Sequence, residues 1–445
     1  MSASRIHDDR ITIDVWLQYY VTPDFLDPVR KIAAEFENRH PGYRIDIKGY
    51  HFETIVAEMR EAVLRGARPM VAEYLCFMTA DAMDARGPDS RVLFTSATQA
   101  IGGRQEILGE PVVVGDIVPG ARDYFSYGDE LPGVPWAAST PLLFANTTLL
   151  EAAGVPELPR TWTDLEAACQ ALASLRNGPS HGICWPNYGW FFQLAVAQQG
   201  GWLADHDNGR SGSAESVNLA STEMLTYIKW WKHLHELGNY LYTGTPADSA
   251  KNTGKAFAES IDAFARQRVA FALSSSVDTP RFVQAARAGD FSVTAARVPH
   301  NGEVPYAGNL VGGDALWLAS GLDPMTQDGA LAFIQYLNNP RNAADRHKAT
   351  GHNPITRAAA ELAAQEGWFE ANPIFGIAAG VLDQGNDSLA ARGALLPRFF
   401  GIHTAMTHAM HDVLTEGADP EQRFSRATAD AQRLLDEYRL RNLAS

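Results

Sequence analysis

From Ile11 to Trp16 apolar and polar positions alternate with period two, in the β-branched composition of a strand. The period then changes. Leu26, Val29, Ile32 and Phe36 recur at three- and four-residue spacing, the single apolar stripe of a helix. Asp27-Pro28 is expected to supply its N-cap and a proline at the first helical position. His40-Pro41-Gly42 stops the run, and Tyr43 to Lys48 alternates again with Ile45 and Ile47 on one face. A second helix is predicted from about Phe52 to Leu64, and Met70 to Leu75 reads as a short apolar strand. The order β-α-β-α-β predicts a parallel sheet with right-handed crossovers, and so an α/β protein.

Residues 160–290 read as mostly helical, with amphipathic segments at Trp162–Leu175 and Ser221–Leu237. Thr161 or Thr163 can cap the first of these. Val269–Leu273, Asp290–Val298 and Gly308–Leu318 read as strands. Helical spacing returns at Gln327–Leu337, Gly401–Leu414 and Glu421–Tyr438. No repeat or long linker separates these elements, which suggests lobes joined by several crossings. Ligands of open α/β sheets lie beyond the carboxyl ends of the strands. Gln18-Tyr19-Tyr20, Gly49-Tyr50-His51 and Cys76-Phe77 are therefore expected to line a cleft.

Length and charge narrow the picture. At 445 residues the chain is long enough for two or three domains and for a large core. A net charge of −15 argues against nucleic acid or an anionic membrane as partner. No run approaches the eighteen apolar residues that suggest a membrane span. Three cysteines, Cys76, Cys169 and Cys184, make no zinc pattern; one pair at most could bridge, and Cys169 with Cys184 stays open. Met1 to Arg10 is polar and lacks an apolar signal core. The expectation is either an extracytoplasmic protein whose export signal has been removed, or a cytoplasmic one if Met1 is the native start.

The stretch Pro135-Trp-Ala-Ala-Ser-Thr-Pro-Leu-Leu-Phe-Ala-Asn146, followed by Gly154-Val-Pro and Pro159-Arg-Thr-Trp-Thr-Asp164, resembles the family 1 extracellular solute-binding proteins of ABC importers. Further likeness lies in Gly312-Gly-Asp-Ala-Leu-Trp-Leu-Ala-Ser320, Asn339-Pro-Arg-Asn-Ala-Ala344, Thr350-Gly-His-Asn-Pro-Ile-Thr356 and Glu366-Gly-Trp-Phe-Glu-Ala-Asn-Pro373. These point to the glycerol-phosphate-binding branch of the family, and the resemblance runs from about residue 11 to 438.

The resemblance implies a two-lobed periplasmic-binding-protein fold of the maltose-binding-protein kind, with three interlobe crossings and a ligand cleft between the lobes. One lobe would hold 11–140 and 309–350, the other 141–308 and 351–445. It also implies a periplasmic or lipid-anchored monomer that delivers a small molecule to an ABC permease, with no cofactor and no metal. The implied ligand is a glycerol-phosphate-like or glycerophosphodiester compound, or a sugar. Ligand contacts would fall at His51, Cys76, Ser139, Trp190, Ser275, Gly313, His352 and the segment around Arg398, with Tyr19 added from the sheet topology.

Some of these positions depart from the branch. Cys76 stands where an acidic residue is usual, and His352 where a tyrosine is. Leu395 stands where the branch has its phosphate-contacting arginine, with Arg398 three residues on. An anion could instead be held by helix amides opened by Ser274-Ser-Ser276. Trp185, Tyr188 and Trp190 either stack on ligand or pack the second lobe, while Trp230-Trp231 fits a helical core. Gly312 and Gly313 make no dinucleotide fingerprint. His403, His408 and His411 read as surface or core histidines, not as a metal set. Two rival readings stand beside import: a cytoplasmic cleft enzyme with Cys76 as nucleophile, activated by His51 or His352, and a receptor component that does not transport.

Overall fold

Strand β1 (Ile11–Tyr19) buries Ile13, Val15 and Leu17 on one face and Trp16 on the other, so it needs cover on both sides. Helix α1 (Asp27–Arg39) lays Val29, Ile32 and Phe36 on the first face. Helix α2 (Ile55–Leu64) packs Met59 and Val63 in the cluster that holds Trp16. Strand β2 (Tyr43–His51) pairs in parallel with one edge of β1, and β3 (Val71–Leu75) in parallel with the other. Asp27 is not the cap that the sequence suggests. A 3-10 turn, Pro23–Leu26, feeds the helix, so Leu26 already has helical angles and the Asp27 carboxylate accepts from Arg30 Nη1 at 2.9 Å.

The computed structural model describes residues 10–19, 23–52, 54–243, 253–384 and 388–443; Tyr20, one of the expected cleft residues, lies outside them. After β3 come α3 (Thr79–Met83), α4 (Pro119–Phe125), β4 (Val134–Ser139), β5 (Pro141–Asn146), β6 (His181–Cys184) and α5 (Gly189–Gln198). They are followed by β7 (Val269–Ser275), α6 (Thr279–Ala288), β8 (Val293–Arg297), β9 (Gly312–Ala319), α7 (Pro324–Leu337), α8 (Phe399–Thr415) and α9 (Pro420–Leu443). Helix Trp162–Ala173 starts on a capping box between Thr161 and Asp164, so of the two threonines that the sequence offers as cap it is Thr161 that serves.

Apart from a two-stranded hairpin, Glu106–Ile107 with Glu110–Pro111, the described strands build two separate sheets, one for each lobe. In the first the order is β2-β1-β3-β9, with β4 and the short strand Phe94–Thr95 also on β9; β9 runs antiparallel to β3. In the second the order is Tyr240–Leu241, β6, β7, β5, β8. The chain passes from the first sheet to the second between Ser139 and Pro141, and returns between β8 and β9. A third passage, after Thr350, lies beside these, with Asn353 bridged to Ala138 and Thr356 to Ile117. Gly308–Val311, expected as strand, belongs to the return crossing, and β9 begins only at Gly312. Among the described residues no helix is long and apolar enough to cross a membrane.

Candidate functional site

The three crossings are tied together by buried polar side chains. Thr140 N donates to Ser276 Oγ at 3.1 Å, and Ser276 N returns a bond to the Thr140 carbonyl at 2.9 Å. Thr140 Oγ1 donates to the Leu310 carbonyl at 2.8 Å and accepts from Asn309 Nδ2 at 2.7 Å. From the third passage, Asn353 Nδ2 donates to Ser276 Oγ at 2.9 Å and its amide to the Ala138 carbonyl at 2.8 Å. These polar groups are buried, so each bond offsets a desolvation cost that would otherwise be uncompensated.

Beside this hinge the lobes meet at three residues. Ser139, at the end of β4, lies opposite Gly312 in the β4–β9 register. A Cβ on Gly312 would stand 2.7 Å from Ser139 Oγ and 2.8 Å from Cζ2 of Trp190, so only glycine lets these two approach. Trp190, in the first turn of α5, is 4% exposed, and its Nε1 is buried without a hydrogen-bond partner. Gly313 has φ +110°, and a Cβ there would lie 2.0 Å from the Ala137 carbonyl oxygen.

Beneath the seam, first-lobe carboxylates are buried. Glu73 accepts from the Gln18 amide at 2.6 Å and from Trp136 Nε1 at 3.0 Å, while Gln18 Nε2 donates to Asp314 at 3.4 Å. Burial and the Asp314 charge raise the Glu73 carboxyl well above its usual range. Arg346, 4.7 Å over the Trp136 ring, spends its guanidinium on the Leu337 and Trp136 carbonyls and on Asn338 Oδ1. On the other flank, Phe77 meets second-lobe rings: His403 at 4.6 Å, Phe399 at 5.9 Å, and Phe400 and Tyr188 at 6.1 Å.

Two sheets, three tied crossings and a glycine-lined seam form a clamp, and comparison with known proteins agrees. The family of bacterial extracellular solute-binding proteins matches residues 31–377. The chain belongs to that family. The sn-glycerol-3-phosphate-binding periplasmic protein UgpB of Escherichia coli is 25% identical over 424 residues, covering 92% of this chain and 90% of UgpB. UgpB from Mycobacterium tuberculosis, solved in complex with glycerophosphocholine, superposes with a TM-score of 0.73 at 20% identity, over 96% of this chain and 99% of that one. The sugar-binding protein MalE from Xanthomonas citri gives 0.74 at 19% identity, over 96% and 98%. The fold is the two-lobed, maltose-binding-protein-like one. As a solute-binding protein of the ABC-importer family, the chain belongs to proteins that bind small molecules and deliver them to a permease.

In this solute-binding protein the expected site residues separate into groups. Ser139, Trp190 and the Gly312-Gly313 pair converge. Tyr19 and His51 face each other across β1 and β2, ring centroids 5.6 Å apart. His352 is buried in the third passage, with Nδ1 3.1 Å from Thr350 Oγ1 and its ring 6.0 Å from Phe25. Burial, Arg346 and His347 lower it to about 3, so it is neutral. Ser275 Oγ accepts from the Val277 amide at 3.3 Å. In the turn that Ser274-Ser-Ser276 opens, the Ser276 amide donates to the Thr140 carbonyl and the Val277 amide to Ser275 Oγ, so neither is left for an anion. Asp278, the N-cap position of α6, is itself buried there and accepts from Ser274 Oγ at 2.6 Å. Arg398 is exposed at the rim, with its backbone amide on Asp81.

Cys76 is buried beside the Tyr124 hydroxyl and the Gly313 amide; burial first, then the Asp314 charge, pushes its thiol up. A reactive thiolate needs the opposite environment. All three cysteines are unpaired and buried, so Cys169 and Cys184 do not bridge. Trp185 belongs to the core, stacked among Trp230, Trp231 and Tyr240. His403 is buried and His411 bonds Tyr242 at 2.9 Å; among the described residues no group of three ligand-type side chains could hold a metal. Sequence reasoning missed Thr140, Asn309 and Asn353, whose one signal is a polar side chain on or beside each crossing, and it gave Ser276 only a place in an anion-holding turn. It also missed Glu73, Asp314 and Asp81, which give no sequence signal of their own.

Proposed function

We propose that the chain captures a small polyhydroxyl solute, of the glycerol-phosphate or sugar class, in the seam between its lobes and presents it to an ABC permease as a monomer. The lobes are assigned as 11–140 with 309–350, and 141–308 with 351–445; the sheet membership of β4, β5, β8 and β9 supports these bounds. The observation that carries the reading is the meeting of Ser139, Gly312 and Trp190. The indole N–H of Trp190 is buried without an acceptor, as are those of Trp185, Trp230, Trp231 and Trp317; its place beside Ser139 and Gly312 is what sets it apart, and a ligand oxygen there would satisfy it. The indole face also suits the C–H face of a sugar or polyol. Ser139 and Ser275 supply hydroxyls, the Gly312-Gly313 backbone allows close approach, and neutral His352 can donate or accept. Tyr19, His51 and Cys76 border the first-lobe side, and Arg398 belongs to the rim.

Closing excludes water and strengthens every polar contact inside. No bond needs to break, and the buried thiol of Cys76 favours capture over covalent chemistry. The names of the relatives, which bind sn-glycerol-3-phosphate, glycerophosphocholine or sugars, fit this range of solutes. The export expected of a family of extracellular proteins would place the chain outside the cytoplasm. The test is thermal unfolding against sn-glycerol-3-phosphate, glycerophosphodiesters, polyols and sugars. A ligand at a hundred times its dissociation constant should add about 2.7 kcal/mol, a shift of a few degrees at this size. A hit recovered chemically intact supports capture; a hit consumed, with turnover lost in Cys76→Ser, supports the enzyme instead.

A further inference from the structure

Helix α5 and the residue that follows it carry three glutamines, and two of them spend their side-chain N–H groups on backbone carbonyls. Gln198 Nε2 donates to Val298 at 3.2 Å, and Gln199 Nε2 to Ala195 at 2.9 Å and Glu223 at 3.0 Å. Gln193 does not. Its side chain is buried, and its Oε1 accepts from the Ala394 amide at 2.9 Å. A backbone amide can only donate, so this bond fixes which end of the side chain is oxygen and which is nitrogen. Nε2 is left buried with no acceptor.

Its place in the fold gives that donor a use. Gln193 stands three residues after Trp190 on the same helix, so the two side chains share a face. Trp190 Nε1 also lacks an acceptor, and its ring abuts Gly312. Beyond Gln193, the neighbour of Ala394 packs on the other lobe: a Cβ on Gly393 would lie 2.6 Å from Tyr124 Cε2 and 3.5 Å from Leu310 Cδ2. Arg210 spans the same contact, donating to the Gly393 carbonyl at 2.6 Å and to that of Tyr124 at 3.1 Å, so its charge is already engaged. Gln335 Nε2 is likewise without an acceptor, but Gln335 holds the Val113 amide of its own lobe. Gln193 differs in lying between Trp190 and the interlobe contact.

We propose that Gln193 is a further ligand-binding residue: its Nε2 donates to a solute oxygen beside the one that Trp190 Nε1 holds. The inference rests on the seam being the solute site. It adds that the solute presents two neighbouring acceptor oxygens to α5, as adjacent hydroxyls or the oxygens of one phosphate group do. Both donors are neutral, so recognition there is by hydrogen-bond geometry.

Calorimetry with ribitol, maltose, sn-glycerol-3-phosphate and glycerophosphocholine tests this on wild type, Gln193→Met and Gln193→Glu. Gln193→Met keeps the length and loses the donor, so a probe that saturates wild type should lose at least about tenfold in affinity. A loss on the first two probes assigns the oxygens to hydroxyls, and a loss confined to the last two assigns them to phosphate. Gln193→Glu keeps an oxygen for the Ala394 amide. It should bind weakly at pH 8 and recover toward wild type at pH 5, where a protonated carboxyl donates in place of the amide. Unchanged affinity in folded Gln193→Met overturns the proposal, as does a loss in Gln193→Glu that acid does not reverse; if Gln193→Met unfolds, Gln193→Glu decides alone. Gln193→Cys needs no solute. With the lobes apart, the new thiol should react with an aromatic disulfide reagent in native buffer, where wild type does not, and no reaction places the position in the closed core and overturns the proposal. Silence of wild type toward all four probes counts against the polyhydroxyl reading itself, while Gln193→Cys still decides whether Gln193 faces the seam.

Discussion

The two flanks of the interlobe seam are held in opposite ways. At the crossings Thr140, Ser276, Asn309 and Asn353 are buried and exchange directional hydrogen bonds among three chain passages. Around Phe77 the lobes meet through rings, and the imidazole of His403 is buried there with neither nitrogen bonded. The polar flank keeps its partners in register because parting them would strand buried donors. The aromatic flank gains from contact but asks for little orientation, and water can solvate His403 once the rings separate. One side is therefore built to stay joined and the other to part.

The sharpest way to break this contrast is Phe77→Ala. Removing a buried Phe commonly costs about 3–5 kcal/mol, but in an open clamp Phe77 is already solvated. The loss should therefore appear as a shift toward the open form, a larger radius of gyration by small-angle scattering, with a smaller change in global unfolding. A full loss in unfolding with no change in scattering would place Phe77 in the permanent core.

Ser276→Ala should do the reverse. It leaves Thr140 N without its acceptor and Asn353 Nδ2 with only a long bond to the Ala138 carbonyl, at about 1–3 kcal/mol for each buried group left unsatisfied. Urea unfolding should report a loss of about 2–4 kcal/mol. A loss below about 0.5 kcal/mol, within the range of ordinary surface substitutions, would show that the hinge tolerates rewiring.

Acid separates the flanks more finely. Burial lowers His403 from 6.5 to about 3. Its contribution to the closed form is thus complete above pH 6.5 and falls as pH drops toward 3, at up to about 1.4 kcal/mol per unit. Asp81, raised to about 6 by burial, acts in the opposite sense, favouring closure as pH falls below about 6. His403→Phe should remove the first slope and leave the second, read as scattering against pH. An unchanged acid response would show that His403 stays buried in both forms. The smallest effect concerns the thiols. Cys76, Cys169 and Cys184 should resist an aromatic disulfide reagent until denaturant is added, and reaction in native buffer would contradict their burial.

How far these features can be read from the sequence depends on how local their causes are. Strand β1 and helix α1 announce themselves through period and stripe, and the Thr161–Asp164 cap through a threonine and an acidic residue three positions apart. Gly308–Val311 has the apolar content of a strand, yet its backbone serves the crossing because Thr140, about 170 positions earlier, claims the Leu310 carbonyl. Trp185 and Trp190 share one stretch of sequence. Only partners far along the chain, Trp230 and Trp231 for one and Gly312 for the other, send them to the core and to the seam. Arg398 has the right charge for an anion but the wrong place, because the carboxylate that meets it comes from α3 in the other lobe. Ser139 and Gly313 lie in stretches that resemble the family, whereas nothing in those stretches marks Asp81.

The most direct test of the account is the affinity of wild type and Trp190→Ala for the polyol or sugar that stabilises the protein best, measured by calorimetry with unfolding followed in parallel. The account predicts that Trp190→Ala loses at least about a hundredfold in affinity, about 2.7 kcal/mol, while the lobes stay folded. An unchanged affinity in the folded variant would contradict it, and the solute would then have to be sought away from Ser139 and Gly312.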